Sequence, residues 1–315
     1  MDKSVDSVHL FDTVALILRR MNSDVEKYIE VSLSEGLRVE VYVMEKDTPQ
    51  GDEPLSRELC GRIGDGQGAQ GLLVITDDDG VAQELERLGV AVTGYRAPGC
   101  EYEGFATRYV VEELPMVDDE YFNLVYMRAH HIPVVIAQTE RTIIREMTEK
   151  DLPAMYELYA DPAVARWCEP LYEYDKELEF TRAYIDNMYV FYGYGLWLVF
   201  DKESGELIGR AGISHREIDG IERCELGYII KGTRQRQGLG FEVSREIIRY
   251  AADSLGMDEL WLCTEEDNTA SEALAQKLGF YQWGSALCDI GRGEQKECMI
   301  YRKSPLCQAA GILYK

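Results

Sequence analysis

Two glycines separated by one residue mark the stretch of this sequence whose residue types and spacing most clearly suit ligand chemistry. Gly238 and Gly240 lie in the segment 235–241, between an apolar strand-like run, Cys224–Ile230, and a stretch with apolar residues at helical spacing that begins at Phe241. A loop in that position presents the free N–H groups of a first helical turn, and the helix dipole favours negative charge there. Because a side chain would keep phosphate oxygens away from the backbone, glycine suits the point of closest approach. The segment predicts an anion-binding loop.

The loop differs from the common nucleotide-binding sequences. It has neither the Gly-Lys-Ser/Thr of a Walker loop nor the full G-x-G-x-x-G of a dinucleotide fingerprint. Taken alone, it is therefore also compatible with a glycine turn before an ordinary helix. The residues on either side of the loop favour a functional interpretation.

The order of these flanking motifs resembles the GNAT acetyltransferases, and within them the branch that includes the ribosomal-protein N-terminal acetyltransferases. Glu225-Leu226-Gly227-Tyr228 precedes the Gln-x-x-Gly-x-Gly loop, and Asn268-Thr269-Ala270-Ser271 and Lys277-Leu278-Gly279-Phe280 follow it. The resemblance covers about residues 142–304, roughly half of the chain. It implies a GNAT α+β domain with a central, mostly antiparallel sheet. It also implies an acetyl-CoA-dependent N-acetyltransferase that acts on a protein N-terminus or a small amine.

The resemblance assigns the binding of acetyl-CoA to two groups of residues. In the family the glycine loop holds the pyrophosphate, which would be the task of Gln235, Arg236, Gln237, Gly238, Leu239, Gly240 and Phe241. Asn268 would be a further cofactor contact, although an asparagine at a helix start is also an ordinary N-cap. The pantetheine arm and the thioester would lie along the backbone of Tyr228, Ile229 and Ile230.

Acetyl transfer from a thioester to an amine needs a proton acceptor for the amine, a donor that polarises the carbonyl, and a proton or hydrogen bond for the leaving thiolate. The resemblance implies Glu225 as the base, often through water, and Ser271 as the group that serves the thiolate. The alternative for Glu225 is an ion pair or a solvent-facing position. The chain departs from the family at Ala275, where many members carry a tyrosine general acid. That duty would fall to Ser271, to water or to no group.

Three other interpretations of this half of the chain carry less weight. A non-catalytic acetyl-CoA-binding sensor would be favoured by loss of the loop or of the polar groups, but both are present. Cys263 lies in an apolar strand without an adjacent histidine, which is typical of an inert buried thiol rather than a nucleophile. The aromatic residues between Tyr184 and Trp197 are more typical of packing than of an acceptor pocket. We expect no metal site.

Length and composition limit the possible classes of protein. A chain of 315 residues favours two domains, and its net charge of −24 argues against nucleic-acid binding. Eight cysteines without C-x-x-C spacing indicate free thiols in a reducing compartment. The sequence has no signal peptide and no apolar run long enough for a membrane span, so we expect a cytoplasmic protein without membrane contact. The sequence does not predict its oligomeric state.

Residues 1–141 predict a separate domain of unknown role. Strand-like and helical stretches alternate, which indicates a Rossmann-like three-layer α/β domain with a mostly parallel sheet. We expect helices over residues 7–20, 24–35 and 54–62, and a closing strand over residues 132–136. Residues 142–304 then form the GNAT-like domain, with a last strand near residues 298–302, and residues 305–315 form a tail.

Asp77-Asp78-Asp79 follows one of these strands, at the edge where α/β sheets bind ligands. The cluster faintly resembles the haloacid dehalogenase fold, but we find no Asp-x-Asp nucleophile at the end of an early strand and no matching lysine. A solvated turn with a helix N-cap is the favoured interpretation.

Overall fold

The computed structural model describes residues 9–44, 70–98, 106–291 and 294–306. The chain divides into two compact units, Met1–Val134 and Val135–Lys315. The short helix expected over residues 54–62 lies outside the described residues.

The first unit contains a five-stranded sheet in the order β2-β1-β3-β4-β5, and every neighbouring pair is parallel. The strands are β1 (Thr13–Leu18), β2 (Arg38–Val43), β3 (Leu72–Thr76), β4 (Ala91–Tyr95) and β5 (Val110–Val111). The described helices are α1 (Ser23–Ser34), α2 (Asp79–Arg87) and α3 (Asp119–Ala129), with a 3-10 turn at Leu114–Met116. Apolar residues of α1 and α3 pack on one face of the sheet, and those of α2 pack on the other.

The helix expected over residues 7–20 is wrong. The chain there forms β1, the strand that pairs with both β2 and β3. All its residues after Thr13 are buried. A strand covered on both faces has no polar positions to reveal a two-residue period, so its pattern does not distinguish it from a buried helix.

The second unit is built on an eight-stranded sheet in the order β12-β13-β11-β10-β9-β8-β7-β6. All neighbours are antiparallel except β10 and β11, which confirms the mostly antiparallel sheet. The strands are β6 (Val135–Gln138), β7 (Thr142–Arg145), β8 (Leu196–Asp201), β9 (Leu207–Ile218), β10 (Ile221–Ile230), β11 (Leu260–Glu265), β12 (Tyr281–Gly291) and β13 (Glu294–Lys303).

Two features of this sheet differ from the sequence-based expectation. The strand expected to close the first domain is β6, and it pairs with β7 in the second sheet. The division of the chain therefore precedes β6, whereas we expected it at residues 141/142. The long strand β12 was not predicted. It pairs with β13 through two register shifts, and its mainly exposed side chains lack an apolar alternation.

The helices of the second unit are α4 (Leu152–Tyr159), α5 (Pro162–Ala165), α6 (Tyr174–Tyr184), α7 (Leu239–Asp253) and α8 (Thr269–Lys277), and a π-helical segment (Ile185–Tyr192) continues α6. The apolar side of α7, including Val243 and Ile247, is buried, and Tyr250 packs edge-on against the fully buried Trp197. Burial of each such aliphatic side chain contributes about 1.5–3 kcal/mol. This packing fixes the N-terminus of α7 relative to the sheet.

Among the described residues, none of the helices is both long enough and apolar enough to span a membrane.

Candidate active site

A cleft opens where β10 and β11 separate. In the described structure these parallel strands share one registered pair, Glu225 with Trp261. Beyond it, β10 remains paired with β9 as far as Ile230, and β11 remains paired with β13 as far as Glu265. The gap holds a cavity of about 240 Å³, lined by residues of both strands and by Asn268 and Ser271. Buried backbone N–H and C=O groups need hydrogen-bond partners. Where two strands separate, the backbone groups that no longer pair with each other can bind a ligand.

The glycine loop lies beyond the end of β10, at the N-terminus of α7. Gly238 is the N-cap residue with φ of 81°, a left-handed conformation that favours glycine, and it provides no side-chain cap. The first helical hydrogen bond runs from the Glu242 N–H to the Gly238 carbonyl at 3.0 Å. The N–H groups before Glu242 in this turn are therefore those without an intrahelical acceptor. A Cβ on Gly240 would lie 3.3 Å from Leu274 Cδ2. Gly238 and Gly240 thus contribute no side chain to this turn, which suits an anion-binding loop.

Arg141 holds this loop in place, although no motif in the sequence distinguishes this residue. Its guanidinium donates to the Gln237 carbonyl at 2.9 Å and to the Glu242 carboxylate at 2.6 and 2.8 Å. Burial raises the pKa of Glu242, but hydrogen bonds from Thr139 and Arg141 outweigh burial, so the pKa lies below its usual value. The Gln235 side chain donates to the Ile230 carbonyl at 2.8 Å, which ties the loop to the end of β10. Glu242 is thus an ionised acid whose charge Arg141 neutralises.

Glu225 is buried in the cleft wall and forms an ion pair. Its Oε2 accepts from Arg216 Nε at 2.6 Å, and its Oε1 accepts from the Cys263 N–H at 3.2 Å. Burial lowers the pKa of Arg216, but the Glu225 carboxylate outweighs burial, so the net shift is upward. Arg216 also donates to the Asp289 carbonyl. The structure therefore shows the ion pair that was the alternative interpretation of Glu225. Each carboxylate oxygen still has a second lone pair for water or an amine.

At the α8 end of the cleft, three predicted residues come together. Asn268 Oδ1 accepts from the Ser271 N–H at 3.2 Å, so Asn268 is the N-cap of α8. The Tyr228 hydroxyl lies 2.9 Å from Ser271 Oγ. Burial raises the pKa of Tyr228 to about 12, although the hydrogen bond to Ser271 opposes that shift. Ala275, one turn further along α8, is fully buried. The family resemblance predicts only a backbone role for Tyr228. The structure shows that its side chain also brings a phenol to this end of the cleft, where α8 has an alanine at position 275.

Cys263 lines the cleft, but burial and then the Glu225 carboxylate raise the pKa of its thiol well above the usual range. A protonated thiol is a weak nucleophile, in agreement with the predicted inert cysteine. The aromatic residues near β8 mostly serve packing. Tyr184 accepts from the Leu196 N–H at 2.7 Å, and Tyr189 donates to the Leu196 carbonyl at 2.6 Å.

In the first unit, the aspartates after β3 serve the backbone. Asp78 Oδ1 accepts from the Val81 N–H at 3.0 Å and caps α2, as the N-cap interpretation predicts. Asp77 Oδ1 accepts from the Arg19 N–H at 2.7 Å, and burial raises the pKa of Asp77. Elsewhere in this unit, His9 Nε2 lies 3.7 Å from a Glu35 oxygen and 3.8 Å from an Asp119 oxygen.

Comparison with known proteins places the second unit in a family. Residues 141–281 match the family described as "Acetyltransferase (GNAT) domain". The Bacillus subtilis (strain 168) protein named "Uncharacterized N-acetyltransferase YoaA" is 28% identical over 152 residues, which are 47% of this chain and 84% of that protein. A second B. subtilis protein, "Uncharacterized protein YkkB", is 27% identical over 147 residues, 45% of this chain and 83% of that protein.

Among solved structures, the acetyltransferase from Agrobacterium tumefaciens str. C58 is 24% identical, with a TM-score of 0.42 over 53% of this chain and 92% of that chain. The family match and the curated relatives show that the protein is an acyltransferase enzyme. Its residues 141–281 form a GNAT acetyltransferase domain.

Proposed function

We propose that the second unit transfers the acetyl group of acetyl-CoA to a primary amine, either the N-terminus of a protein or peptide or a small amine. The observation that carries this proposal is the cleft between β10 and β11. Tyr228 and Ser271, whose hydroxyl oxygens lie 2.9 Å apart, line this cleft, and the Gln235 side chain ties the loop before α7 to the end of β10. The similarity to a protein named as an N-acetyltransferase supports transfer to nitrogen.

The loop at the start of α7 fits the pyrophosphate of acetyl-CoA. Its cap residue, Gly238, provides no side chain, and the N–H groups of the first turn and the helix dipole both favour an anion. Arg141 neutralises Glu242, the acidic residue of this turn, so that carboxylate does not oppose a phosphate. The backbone of Tyr228, Ile229 and Ile230 would then bind the pantetheine arm. Acetyl-CoA, when bound, supplies the activated thioester.

Two groups of residues would handle the protons. Glu225 accepts the proton of the amine, directly or through water, at a lone pair that Arg216 and the Cys263 N–H leave available. Arg216 holds the carboxylate in position. At the other end of the cleft, Ser271 and Tyr228 donate hydrogen bonds toward the leaving sulfur, and burial keeps the Tyr228 phenol protonated.

The proposal is tested by incubating the full-length protein with acetyl-CoA and a panel of peptides and small amines while following thiol release. We expect amine-dependent release of free CoA together with an acetylated product in the mass spectrum. Glu225→Gln serves as the matched variant, since it keeps the side-chain shape and removes the proton acceptor. Binding of CoA without turnover of any amine would contradict the proposed reaction.

A further inference from the structure

Arg210 places an unneutralised guanidinium in the wall of the cleft. It lies in β9, and its side chain is 7% exposed and contributes to the cavity lining. Its neighbours across the sheet are Leu198 and Ile229.

The partners of this guanidinium are uncharged. Its Nη1 donates to the Tyr159 hydroxyl at 3.1 Å, and its Nη2 lies 3.9 Å from Met147 Sδ. Its Cζ lies 5.3 Å from the ring centroid of Tyr184. The buried Nε has no hydrogen-bond partner. Among the ion pairs within 4.0 Å that the described residues form, none includes Arg210.

A buried charge without a counter-charge is costly, since much of the penalty for removing an ion from water remains even after the protein relaxes around it. An arginine stays protonated in proteins and cannot avoid this cost by losing its proton. Burial lowers the pKa of Arg210, but the surrounding tyrosines outweigh burial and the net shift is upward. A ligand that brings a negative charge would relieve the penalty.

The other charges that line the cleft are already neutralised. Arg216 pairs with Glu225 at 2.6 Å, and Glu265 pairs with Lys296 at 3.1 Å. Among the charged residues described in the cavity lining, Arg210 is therefore the one without an ion-pair partner, and a cation of this kind favours binding of an anion.

The face of the sheet on which Arg210 lies indicates whether the acetyl donor or the acetyl acceptor carries that anion. Directly opposed residues in neighbouring strands share a face, and successive residues alternate. Trp197, Ala211 and Tyr228 are opposed to one another and lie on the α7 side, where Trp197 contacts Tyr250. Arg210, next in sequence to Ala211, lies on the opposite face, with Tyr159 of α4 and Tyr184 of α6. The proposed acetyl-CoA site at α7 and the Arg210 guanidinium therefore lie on opposite faces of the sheet.

We propose that Arg210 binds a carboxylate of the acetyl acceptor, so that the substrate is an amine with a carboxylate close to it. The arginine fork matches carboxylate geometry, and its Nε is the donor still without a partner. Two sources share this chemistry: the α-carboxylate of a free amino acid, and the side chain of an acidic residue at or near a peptide N-terminus. The inference rests on the proposed acetyl transfer, because it assigns the acceptor side of the same cleft.

The test compares acceptors in pairs that differ only in charge. One arm uses free amino acids and their carboxamides, and the other uses C-terminally amidated peptides that begin with aspartate or with asparagine. We expect the carboxylate member of one pair to have a kcat/KM at least about tenfold higher, mainly through KM, since tenfold corresponds to about 1.4 kcal/mol. Equal rates in both arms, or a preference for the neutral members, would overturn the proposal.

Substitutions of Arg210 test whether this residue causes the preference for carboxylate-bearing acceptors. Arg210→Met should abolish the preference and leave acetylation of the neutral acceptors, whereas Arg210→Lys, which keeps the charge without the fork, should retain part of it. A preference that survives in Arg210→Met would rule out this residue as the carboxylate site. Circular dichroism checks that each variant folds. If Arg210→Met does not fold, Arg210→Lys and the wild-type pairs decide the question.

A binding measurement separates this inference from the proposed reaction. In the presence of CoA, tryptophan fluorescence, to which Trp167 of the cleft lining contributes, is followed while N-acetylalanine or N-acetylalaninamide is added. The same titration is made with N-acetylaspartyl and N-acetylasparaginyl peptide amides. Tighter binding of a carboxylate member in wild type than in Arg210→Lys would support the site even if no amine were acetylated. Turnover of amines without any preference would leave the reaction in place and overturn the role of Arg210.

Discussion

The hydroxyl of Tyr228 lies 2.9 Å from Ser271 Oγ, although the two residues are 43 positions apart and belong to a strand and a helix. This contact brings a phenol to the α8 end of the cleft. The family pattern would instead bring a tyrosine from position 275, which here is a buried alanine. Because burial raises the pKa of Tyr228 to about 12, its phenol stays a proton donor at any pH at which the enzyme would be assayed.

We predict that Tyr228→Phe lowers kcat about tenfold or more, since positioned acid–base groups contribute about 10²–10⁴-fold in favourable cases. The dissociation constant for acetyl-CoA should change little, because the proposed cofactor contacts at this position use the backbone. Steady-state kinetics and calorimetric binding measure the two quantities. The same loss in affinity as in kcat would show instead that the phenol binds the cofactor.

Ser271→Ala tests whether the two hydroxyl groups act as one unit. If they do, removal of either hydroxyl should lower kcat about as much as removal of both, because the effects of interacting catalytic groups are strongly non-additive. Fully additive losses in the double variant would indicate independent roles for Tyr228 and Ser271.

Glu225→Gln should abolish most of the activity, since an amide cannot accept the amine's proton. It should also lower stability, because Arg216 would lose its ionised partner, and breaking a buried ion pair costs about 3–5 kcal/mol. The double variant Glu225→Gln/Arg216→Gln is the matched control, since it removes both charges. We expect this control to recover part of the melting temperature but none of the activity. Activity in the folded double variant would exclude Glu225 as the base.

The ion pair between Arg145 and Asp151 predicts a pH-dependent contribution to the stability of the second unit. The Asp151 carboxylate accepts from both Arg145 Nη atoms, at 2.7 and 2.9 Å, and from the Thr148 N–H at 2.8 Å. Burial raises the pKa of Asp151, but these hydrogen bonds outweigh burial and hold it below its usual value. A carboxyl with a lowered pKa stabilises the folded state above its unfolded pKa, and the contribution is lost as the pH falls through the folded value.

Asp151→Asn should therefore lower the free energy of unfolding by about 1–3 kcal/mol at neutral pH. The difference from wild type should shrink below about pH 4, near the pKa of an unfolded aspartate. All four tryptophans lie after residue 134, so tryptophan fluorescence during denaturant titration reports on this unit. A difference that stays constant down to acidic pH would contradict the ionic contribution of Asp151.

Much of the fold could be predicted because most elements have one exposed face. The amphipathic helix α7 is an example. Two failures have physical causes. β1 is buried on both faces, so its apolar run has no period, and the mainly exposed β12 has no apolar alternation. In both cases the partner strands determine the structure, and no local pattern records which strands those are.

The site could be predicted as far as its motifs are local. Gly238, Asn268 and Ser271 stand in short patterns with their own turn or cap chemistry. The contacts of Glu225 with Arg216, and of Tyr228 with Ser271, join separate elements. They depend on strand register and on where β10 and β11 part. Arg210 could not be identified because its sequence surroundings are those of an ordinary strand, and only its lack of a counter-charge in the folded chain distinguishes it.

The first turn of α7 gives the sharpest test of the cofactor site. Gly240→Asp would place a carboxylate where the pyrophosphate is expected. At an effective dielectric constant of 20, two like charges about 5 Å apart repel by about 3 kcal/mol, so the affinity for CoA should fall at least about tenfold. The helix itself should tolerate the change, since an acidic residue in a first turn is favoured by about 0.3–1 kcal/mol.

The control for this variant is Gly240→Asn, which has nearly the same shape, shares the 3.3 Å approach to Leu274 Cδ2 and carries no charge. Calorimetric titration with CoA should show a much larger loss for the aspartate than for the asparagine. S-acetylpantetheine lacks the pyrophosphate, so its weaker binding should not distinguish the two variants. If both variants lost CoA equally, or if the aspartate weakened S-acetylpantetheine as much as CoA, the pyrophosphate would not lie at this turn.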